Sequence, residues 1–206
     1  MSTPLFGDAV ILCGGKSRRM GMDKSLLKIK GEFVINIMAA KLSEIFDNVG
    51  LCANLGGKFS QFGLPIIEDI YKDDGVDIIG PAAAIHAALT ATRSQYIFAV
   101  AVDMPLLNIS HITHMMHLLK GTNPRPDALI PLSGNFAEVL YSFYSKSTAA
   151  TFESQIIDKN YTMRKIVKMF NSSFLEEEVS RNFDDKLTMF TNLNYVQDLK
   201  KLEGFV

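Results

Sequence analysis

Residues 9–24 read Ala-Val-Ile-Leu-Cys-Gly-Gly-Lys-Ser-Arg-Arg-Met-Gly-Met-Asp-Lys, an apolar run that breaks at two glycines and continues into a cluster of cations. The run Ala9–Leu12 has the composition of a buried strand. Gly14 and Gly15 allow the backbone to turn sharply and bring its amides close to a ligand. The cations that follow are Lys16, Arg18, Arg19 and Lys24. The stretch therefore predicts a strand that leads into a phosphate-binding loop.

The overall charge supports a polyanionic ligand for this loop. The chain of 206 residues has a formal net charge of -1, so bulk composition does not explain the local excess of positive charge. Its 48% hydrophobic and 21% charged residues are ordinary for a globular protein, and we expect a single domain over residues 1–206. Since the sequence shows no membrane-spanning run and no secretory signal in Met1–Asp8, we expect a cytoplasmic protein that binds neither membranes nor nucleic acid.

Three alternative interpretations of the loop are weaker. Gly15-Lys16-Ser17 matches the end of a Walker A loop, but the position that needs the first glycine of that motif holds Val10. The glycines also lack the spacing of a dinucleotide-binding fingerprint. A plain glycine turn before a solvated basic helix end would not require two arginines, a glycine and Asp-Lys in so short a connection.

Apolar runs alternate with helical patterns along the chain, which predicts an α/β fold. The predicted strands are Ala9–Leu12, Val49–Ala53, Pro65–Ile67, Tyr96–Val102 and Ala128–Ile130, with a further strand, antiparallel in our interpretation, over Phe136–Tyr144. The predicted helices are Phe33–Phe46, Pro81–Ala91 and Ser110–Leu119, with Ser110 as an N-cap. We therefore expect a three-layer sandwich, in which a mostly parallel, twisted sheet carries helices on both faces.

Two carboxylates follow predicted strands. Asp103 ends the apolar strand Tyr96–Val102, and Asp69 follows Pro65–Ile67. Ligands of open α/β folds bind at the carboxyl ends of parallel strands, the edge that also carries Gly14. A carboxylate beside phosphates favours Mg²⁺, so we predict Asp103 as a metal ligand. The alternative is an aspartate that caps the turn before Pro105.

The run from Leu12 to Lys24, followed by Ser-Leu-Leu, resembles the signature of the molybdenum cofactor guanylyltransferases (the MobA type) within the nucleotidyltransferase superfamily. That family has a Rossmann-like nucleotidyltransferase fold. Its members transfer GMP from GTP to molybdopterin and release pyrophosphate, so the resemblance implies GTP and molybdopterin as substrates and Mg²⁺ as the cofactor. It further implies transient contact with other cofactor-biosynthesis proteins, and we expect a monomer or weak oligomer.

The resemblance also implies residue roles. Lys24, Arg18, Arg19 and Asp103 are the expected catalytic residues, with Asp103 also the metal ligand. The expected ligand-binding residues, besides Lys24 and Asp103, are Leu12, Cys13, Gly14, Gly15, Asn54, Asp69, Asn192 and Asn194. Asparagines at a helix start such as Asn192 and Asn194 are also common caps.

This sequence departs from the family pattern at Cys13, where the family usually has Ala, and at three further places. The family can show Asn-Ala-Asn where this chain has Cys52-Ala-Asn54. Alanines follow Gly80-Pro81 where a further glycine is usual, and Asn135–Val139 lacks the His-Pro or Gln-Pro pair of the strand that faces the acceptor. The sequence therefore leaves open a transferase that uses CTP or a sugar-phosphate acceptor, and a non-catalytic nucleotide-binding protein.

The remaining conspicuous residues favour plain structural roles. His111, His114 and His117 recur every three residues, and the angular drift of that spacing predicts solvent-exposed histidines rather than a metal site. Cys13 and Cys52 are expected to be reduced core thiols. Arg164, Lys165 and Lys168 are either a surface feature or a face towards the anionic acceptor.

Overall fold

The computed structural model describes residues 3–13, 26–53, 56–71 and 80–193. Its strands are β1 Phe6–Leu12, β2 Lys28–Ile29, β3 Glu32–Phe33, β4 Asn48–Cys52, β5 Ile66–Ile67, β6 Tyr96–Ala101, β7 Ala128–Ser133, β8 Phe136–Ala137, β9 Tyr141–Ser145 and β10 Ser172–Leu175. Its α-helices are α1 Val34–Leu42, α2 Gly56–Phe59, α3 Pro81–Ala91, α4 Ile109–Gly121, α5 Ala149–Ile157, α6 Met163–Ile166 and α7 Glu177–Arg181. Single 3₁₀ turns cover Ser60–Phe62, Lys146–Thr148 and Thr188–Phe190.

Within these residues, eight strands form one sheet in the order β10-β7-β9-β6-β1-β4-β5, with β8 paired to β7. The pairs β1–β4, β1–β6, β4–β5 and β7–β10 are parallel. The pairs β6–β9, β7–β9 and β7–β8 are antiparallel. Six strands therefore run in one direction, with β8 and β9 opposed, and the prediction of a mostly parallel sheet is confirmed. A separate antiparallel ribbon joins β2 to β3.

Helices cover both faces of the sheet because the central strands are apolar on both sides. Phe98 and Val100 of β6 pack into a cluster with Met38 of α1 and Met115 of α4. The alternate β6 residues, Ile97 and Ala99, pack on the other face with α3, α5 and α6. All six residues of β6 are buried, so this strand lies at the centre of the core.

Several predicted boundaries differ from the structure, and three of the differences have a clear local cause. Helix α1 ends at Leu42 rather than Phe46, because the chain tightens into turns in which Ile45 and Phe46 both bond back to the Leu42 carbonyl. The cap of α4 is Asn108, whose side chain accepts a hydrogen bond from the His111 amide, and not Ser110. The strand predicted over Phe136–Tyr144 is interrupted by a turn, closed by the Tyr141 amide on the Glu138 carbonyl at 3.0 Å.

The prediction that the three α4 histidines are exposed is wrong for His111. Its side chain is fully buried, with Nε2 3.1 Å from Ser180 Oγ and the ring against Tyr141, Phe183 and Phe190. His114 is half-buried against Phe183, and His117 is exposed. Burial lowers the pKa of His111 to about 4, and the neighbouring His114 adds to that shift. Residues 180–190 therefore cover one side of α4, so that this side is part of the core and not of the surface.

We expect the free energy of unfolding to fall between pH 7 and pH 5 by about 2 kcal/mol more in the unmodified protein than in a His111→Gln variant. The unfolded chain protonates this histidine as pH drops through its ordinary pKa of 6.5, whereas the folded chain keeps it neutral down to about pH 4. Stability is therefore lost as pH falls through that window and is unaffected above it. Urea denaturation at both pH values measures the difference.

The matched control is His117→Gln, which changes an exposed histidine of the same helix. Between pH 7 and pH 5, the free energy of unfolding of this variant should fall by as much as that of the unmodified protein. Equal pH dependence in the His111→Gln variant would contradict the burial argument.

Candidate active site at the carboxyl edge

Four parallel strands end together and extend their ladder by one further residue. The Cys13 amide donates to the Cys52 carbonyl at 2.9 Å, and the Ala53 amide donates to the Ile67 carbonyl at 3.0 Å. On the other side of β1, the Val102 amide donates to the Leu12 carbonyl at 3.2 Å. The connections after β1, β4, β5 and β6 therefore leave one edge of the sheet, which we call the carboxyl edge.

Most of the predicted phosphate loop lies outside the described residues. Leu12 is buried at the end of β1, and Cys13 is half-buried at the carboxyl edge. The predictions for Gly14, Gly15, Arg18, Arg19 and Lys24 fall on undescribed residues, as do those for Asn54 and Asn194. Their roles stay predictions, whereas the position from which the loop departs is known.

Asp69 and Cys52 lie together beside the first turn of α3. Asp69 is 8% exposed, and its charge adds to burial in raising the pKa of the Cys52 thiol. The Cys52 thiol points at the Ala84 carbonyl, with 3.5 Å between sulfur and oxygen. Cys52 thus occupies the space between β4 and α3 with a poor hydrogen-bonding group, next to a carboxylate.

Gly80 shapes the start of α3 at this edge. It has φ +85° and ψ −162°, a conformation almost confined to glycine, and Pro81 follows at the first helical position. A Cβ added at Gly80 would meet no atom within 4 Å, so backbone conformation rather than space requires the glycine. The residue directs the N-terminus of α3 towards the ends of β4 and β5.

Asp103 lies at the same edge, just after β6, and is half-buried. Its backbone carbonyl accepts a hydrogen bond of 2.7 Å from the Leu193 amide. Leu193 is buried, and the neighbouring Asn192 is exposed. The structure therefore brings together two predicted site regions, Asp103 and the Asn192 segment, that are far apart in the sequence.

Lys58 is a candidate site residue that sequence reasoning missed. It belongs to the short helix α2, which the buried Phe59 anchors in the core. Partial burial lowers the pKa of Lys58, and its charge interacts with the Cys13 thiol at the start of the loop. A sequence signal was present, because Gly56-Gly57-Lys58 after β4 repeats the order of Gly14-Gly15-Lys16 after β1.

The two cysteines are both free thiols, as predicted. Cys52 packs on the α3 face of the sheet, whereas Cys13 packs against the opposite cluster. Burial raises the pKa of Cys13 to about 12, an effect that the Lys58 charge opposes. A thiol that resists ionisation is a poor nucleophile, so we expect no nucleophilic role for the Cys13 side chain. Its contact with the ligand stays a prediction.

The Asn135–Val139 segment forms the far wall of the carboxyl edge, on the side of β7. Phe136 is 57% exposed, and the Arg164 guanidinium lies over its ring at 4.9 Å from the centroid. Burial raises the pKa of the neighbouring Glu138, and the charge of Arg164 opposes that shift. The β7–β8 turn is held by Glu177, which accepts a hydrogen bond from the Gly134 amide.

The donor set at the edge suits a hard cation that is shared with phosphates. No group of three or more His, Cys, Asp or Glu side chains able to hold a metal occurs among the described residues. Mg²⁺ commonly takes only one or two protein carboxylates and completes its shell with phosphate oxygens and water. The half-buried carboxylate of Asp103 fits that requirement.

Two other features lie away from this edge. A cavity of about 340 Å³ opens at the amino ends of the strands, lined in part by Asp8, Asn48 and Thr92. Asp8 accepts hydrogen bonds there from Thr92 and Asn48, and none of the predicted site residues lines it. No helix in the described part of the chain is both long and apolar enough to cross a bilayer.

Comparisons with known proteins agree along nearly the whole chain. The family model of the MobA-like NTP transferase domain matches residues 9–177. The "probable molybdenum cofactor guanylyltransferase" of Peptoclostridium acidaminophilum is 33% identical, over 96% of this chain and 88% of that relative. The molybdenum cofactor guanylyltransferase of Syntrophotalea carbinolica is 31% identical, over 95% and 90%. The crystal structure of molybdopterin-guanine dinucleotide biosynthesis protein A from Archaeoglobus fulgidus aligns with a TM-score of 0.79 at 27% identity, over 96% and 97%.

We expect Gly80→Ala to destabilise the protein by about 1–3 kcal/mol, because the backbone conformation at Gly80 is strained for any residue with a Cβ. Thermal unfolding should show this as a melting temperature lower by several degrees. Gly57→Ala is the matched control, since Gly57 also has open space around its Cβ position but lies in a helix without a positive φ. Equal melting temperatures for the two variants would contradict the assignment of strain to Gly80.

Proposed function

Because this chain belongs to the family of MobA-like NTP transferase domains, we propose that it transfers GMP from GTP to molybdopterin and releases pyrophosphate. The family resemblance of residues 12–24 is thereby confirmed. One observation carries the proposal: the base of the phosphate loop, Asp69 and Asp103 converge on one sheet edge, in a chain that matches guanylyltransferases over nearly its full length.

The order of the strands supports a division of that edge among the parts of the substrates. Strands β4 and β5, with Asp69 and Cys52, are suited to the base, and β1 leads into the loop for the triphosphate. Asp103 follows β6 on the other side of β1, and the far wall with Phe136 lies two strands beyond. The reacting phosphates would then lie between the nucleotide and acceptor sides.

Mg²⁺ is part of the proposal, with Asp103 as its protein ligand. When bound, this ion supplies charge neutralisation at the phosphate oxygens. The protein's own cations, Lys24, Arg18 and Arg19, are proposed to stabilise the triphosphate and the departing pyrophosphate, with Lys58 beside the start of the loop.

The chemistry requires positioning more than proton transfer. The terminal phosphate of molybdopterin attacks the α-phosphorus of GTP in line, a new P–O bond forms, and the bond to pyrophosphate breaks. A phosphate monoester is already largely dianionic near neutral pH, with a second pKa of about 6, so no general base is needed. The protein contributes by holding both phosphates in line and by compensating their negative charge.

The main alternative to the proposed function is a nucleotidyltransferase with a different nucleotide or acceptor. A buried thiol at Cys52 offers fewer hydrogen bonds to a base than an asparagine would, so transfer from CTP is a competing hypothesis. Use of a sugar-phosphate acceptor is another, because Asn135–Val139 departs from the family pattern. A nucleotide-binding protein without catalysis is the third.

We further propose a single domain, a cytoplasmic location and a monomer or weak oligomer, with transient contacts to other proteins of cofactor biosynthesis.

We expect the purified protein to release pyrophosphate with GTP, Mg²⁺ and molybdopterin, and to do so much more slowly with CTP. A coupled pyrophosphate assay measures both, and a thermal-shift comparison of the two nucleotides reports binding separately. Faster release with CTP would replace the proposal by its cytidylyl alternative. Tight binding of GTP, with no release of pyrophosphate in the presence of any acceptor, would favour the hypothesis of a non-catalytic protein.

Asp103→Ala and Lys24→Ala should each lower transfer by about 100-fold or more, because each removes a charge that is needed as the phosphates react. Lys58→Ala should instead raise KM for GTP by about tenfold, the effect of losing one charge-assisted contact to the triphosphate. Circular dichroism checks that the variants stay folded. Arg93→Ala, which removes an exposed cation from the opposite edge, is the control. Near-normal turnover in either of the first two variants would contradict their assignment.

A further inference from the structure

Strand β10, Ser172–Leu175, is the last strand at one side of the sheet. It pairs in parallel with β7, and within the described residues no strand follows it on its outer side. Ser173 and Phe174 are both exposed, so the described chain leaves the middle of this strand open to solvent. The outward backbone groups of β10 can therefore pair with a further strand.

The two sides of the sheet differ in how well they resist such pairing. At the other side, β5 has only two residues, with Pro65 directly before it and Glu68 directly after it. Short strands, proline and charge are common means by which edge strands avoid association. Strand β10 is four residues long and reads Ser-Ser-Phe-Leu, with neither a charge nor a proline. Its sequence therefore permits pairing with another chain.

Phe174 extends one apolar face of the sheet to its outer limit. It is in register with Ile130 of β7, which is fully buried in the cluster that includes α5 and α6. Phe174 itself is 41% exposed, and Met169, on the turn between α6 and β10, is also exposed. An apolar side chain on an unpaired strand gains burial when a neighbouring strand brings an apolar partner to the same face.

Charges of opposite sign lie at the two ends of β10. Before the strand, Lys168 is exposed, and the Ser172 hydroxyl donates to the Val167 carbonyl, which folds this segment back against the amino end of β10. Directly after the strand, Glu176 is exposed. A strand of four residues is about 13 Å long, so Lys168 and Glu176 of one chain do not face each other.

Two other carboxylates near β10 are occupied by donors of the same chain. Asp127 accepts a hydrogen bond from the Asn171 amide. Glu177 accepts one from the Gly134 amide and forms an ion pair with Arg181. Because these donors compensate both charges, Glu176 is the carboxylate at the carboxyl end of β10 that suits a cation of another molecule.

A second copy of the chain matches these features when its β10 runs antiparallel to the first. With Phe174 opposite Phe174 of the second copy, a two-fold axis passes between the rings, and both rings lie on the same face of the joined sheet. Ser172 of each copy then opposes Glu176 of the other, which brings Lys168 and Glu176 of different copies together. Parallel pairing would instead place like charges side by side.

We propose that β10 is a self-association surface, through which two copies of this chain join their sheets by antiparallel pairing with Phe174 at the two-fold axis. The contact involves one short strand from each copy and is smaller than a stable interface. We therefore expect a dissociation constant of about 0.1–1 mM. This association is independent of the proposed reaction and agrees with a weak oligomer.

Sedimentation velocity between about 10 and 500 µM should show a reversible equilibrium between monomer and dimer. Phe174→Lys should weaken association by about tenfold or more, because it removes the aromatic pair and places two cations at the axis. The matched control is Ile70→Lys, which changes an exposed apolar residue shortly after β5, at the other side of the sheet. Thermal unfolding checks that both variants are folded. A monomer at all concentrations, or equal association of the two variants, would overturn the proposal.

Charge reversal tests the orientation of the two strands. Lys168→Glu and Glu176→Lys should each weaken association by about three- to tenfold, because each breaks two ion pairs of the dimer and creates repulsion. The double variant should recover the affinity of the unmodified protein, since both pairs form again with their signs exchanged. Losses that add up in the double variant would contradict antiparallel pairing and overturn the proposal.

A disulfide across the axis tests the register. Opposed residues of antiparallel strands have Cα atoms about 4.5–5.5 Å apart, a distance that a disulfide can bridge. With oxidised glutathione, Phe174→Cys should form a covalent dimer about tenfold faster than Ile70→Cys, because the associated copies hold the two thiols together. The unmodified protein, with Cys13 and Cys52 in the core clusters, gives the background rate. Equal rates for the two variants would overturn the proposal and leave the proposed function standing.

Discussion

The parallel pairing of β1 with β4 on one side and β6 on the other is the constraint on which the rest of the structure depends. It continues past the strands, through the hydrogen bonds of Cys13 to Cys52 and of Val102 to Leu12. Because the strands run in one direction, their carboxyl ends must meet at one edge. The base of the predicted phosphate loop, at Cys13, and the carboxylates of Asp69 and Asp103 therefore lie at the same edge, with no direct contact between them being required.

The burial of the sheet on both faces fixes the positions of the strand ends at this edge. The residues of β6 alternate between two cores, one with α1 and α4 and the other with α3, α5 and α6. A shift of one residue in the pairing would exchange the two faces and disrupt both cores. The same packing holds Asp103 at the end of β6, where the Leu193 amide bonds its carbonyl. Positioning, which phosphoryl transfer needs most, is therefore a property of the core.

The sequence was a good guide to features that depend on neighbouring residues. The positions of β1, α3 and β6 followed from short apolar runs and from Pro81. The placement of Asp69 and Asp103 at the carboxyl edge followed because each comes after an apolar run. Errors arose where distant segments meet. His111 was assigned to the surface because its spacing cannot show that residues 180–190 cover that side of α4. Lys58 was missed because its proximity to Cys13 depends on the pairing of β1 with β4.

The sequence by itself therefore determined the class of fold, the family and the edge of the sheet at which Asp69 and Asp103 lie, because these depend on local backbone preference and on a continuous motif. Only the tertiary structure decided which side chains share that edge. It placed Lys58 near Cys13, buried His111 and laid Arg164 over Phe136, a residue 28 positions earlier in the chain. Such contacts depend on how strands and helices pack across the sheet, and no local pattern records that packing.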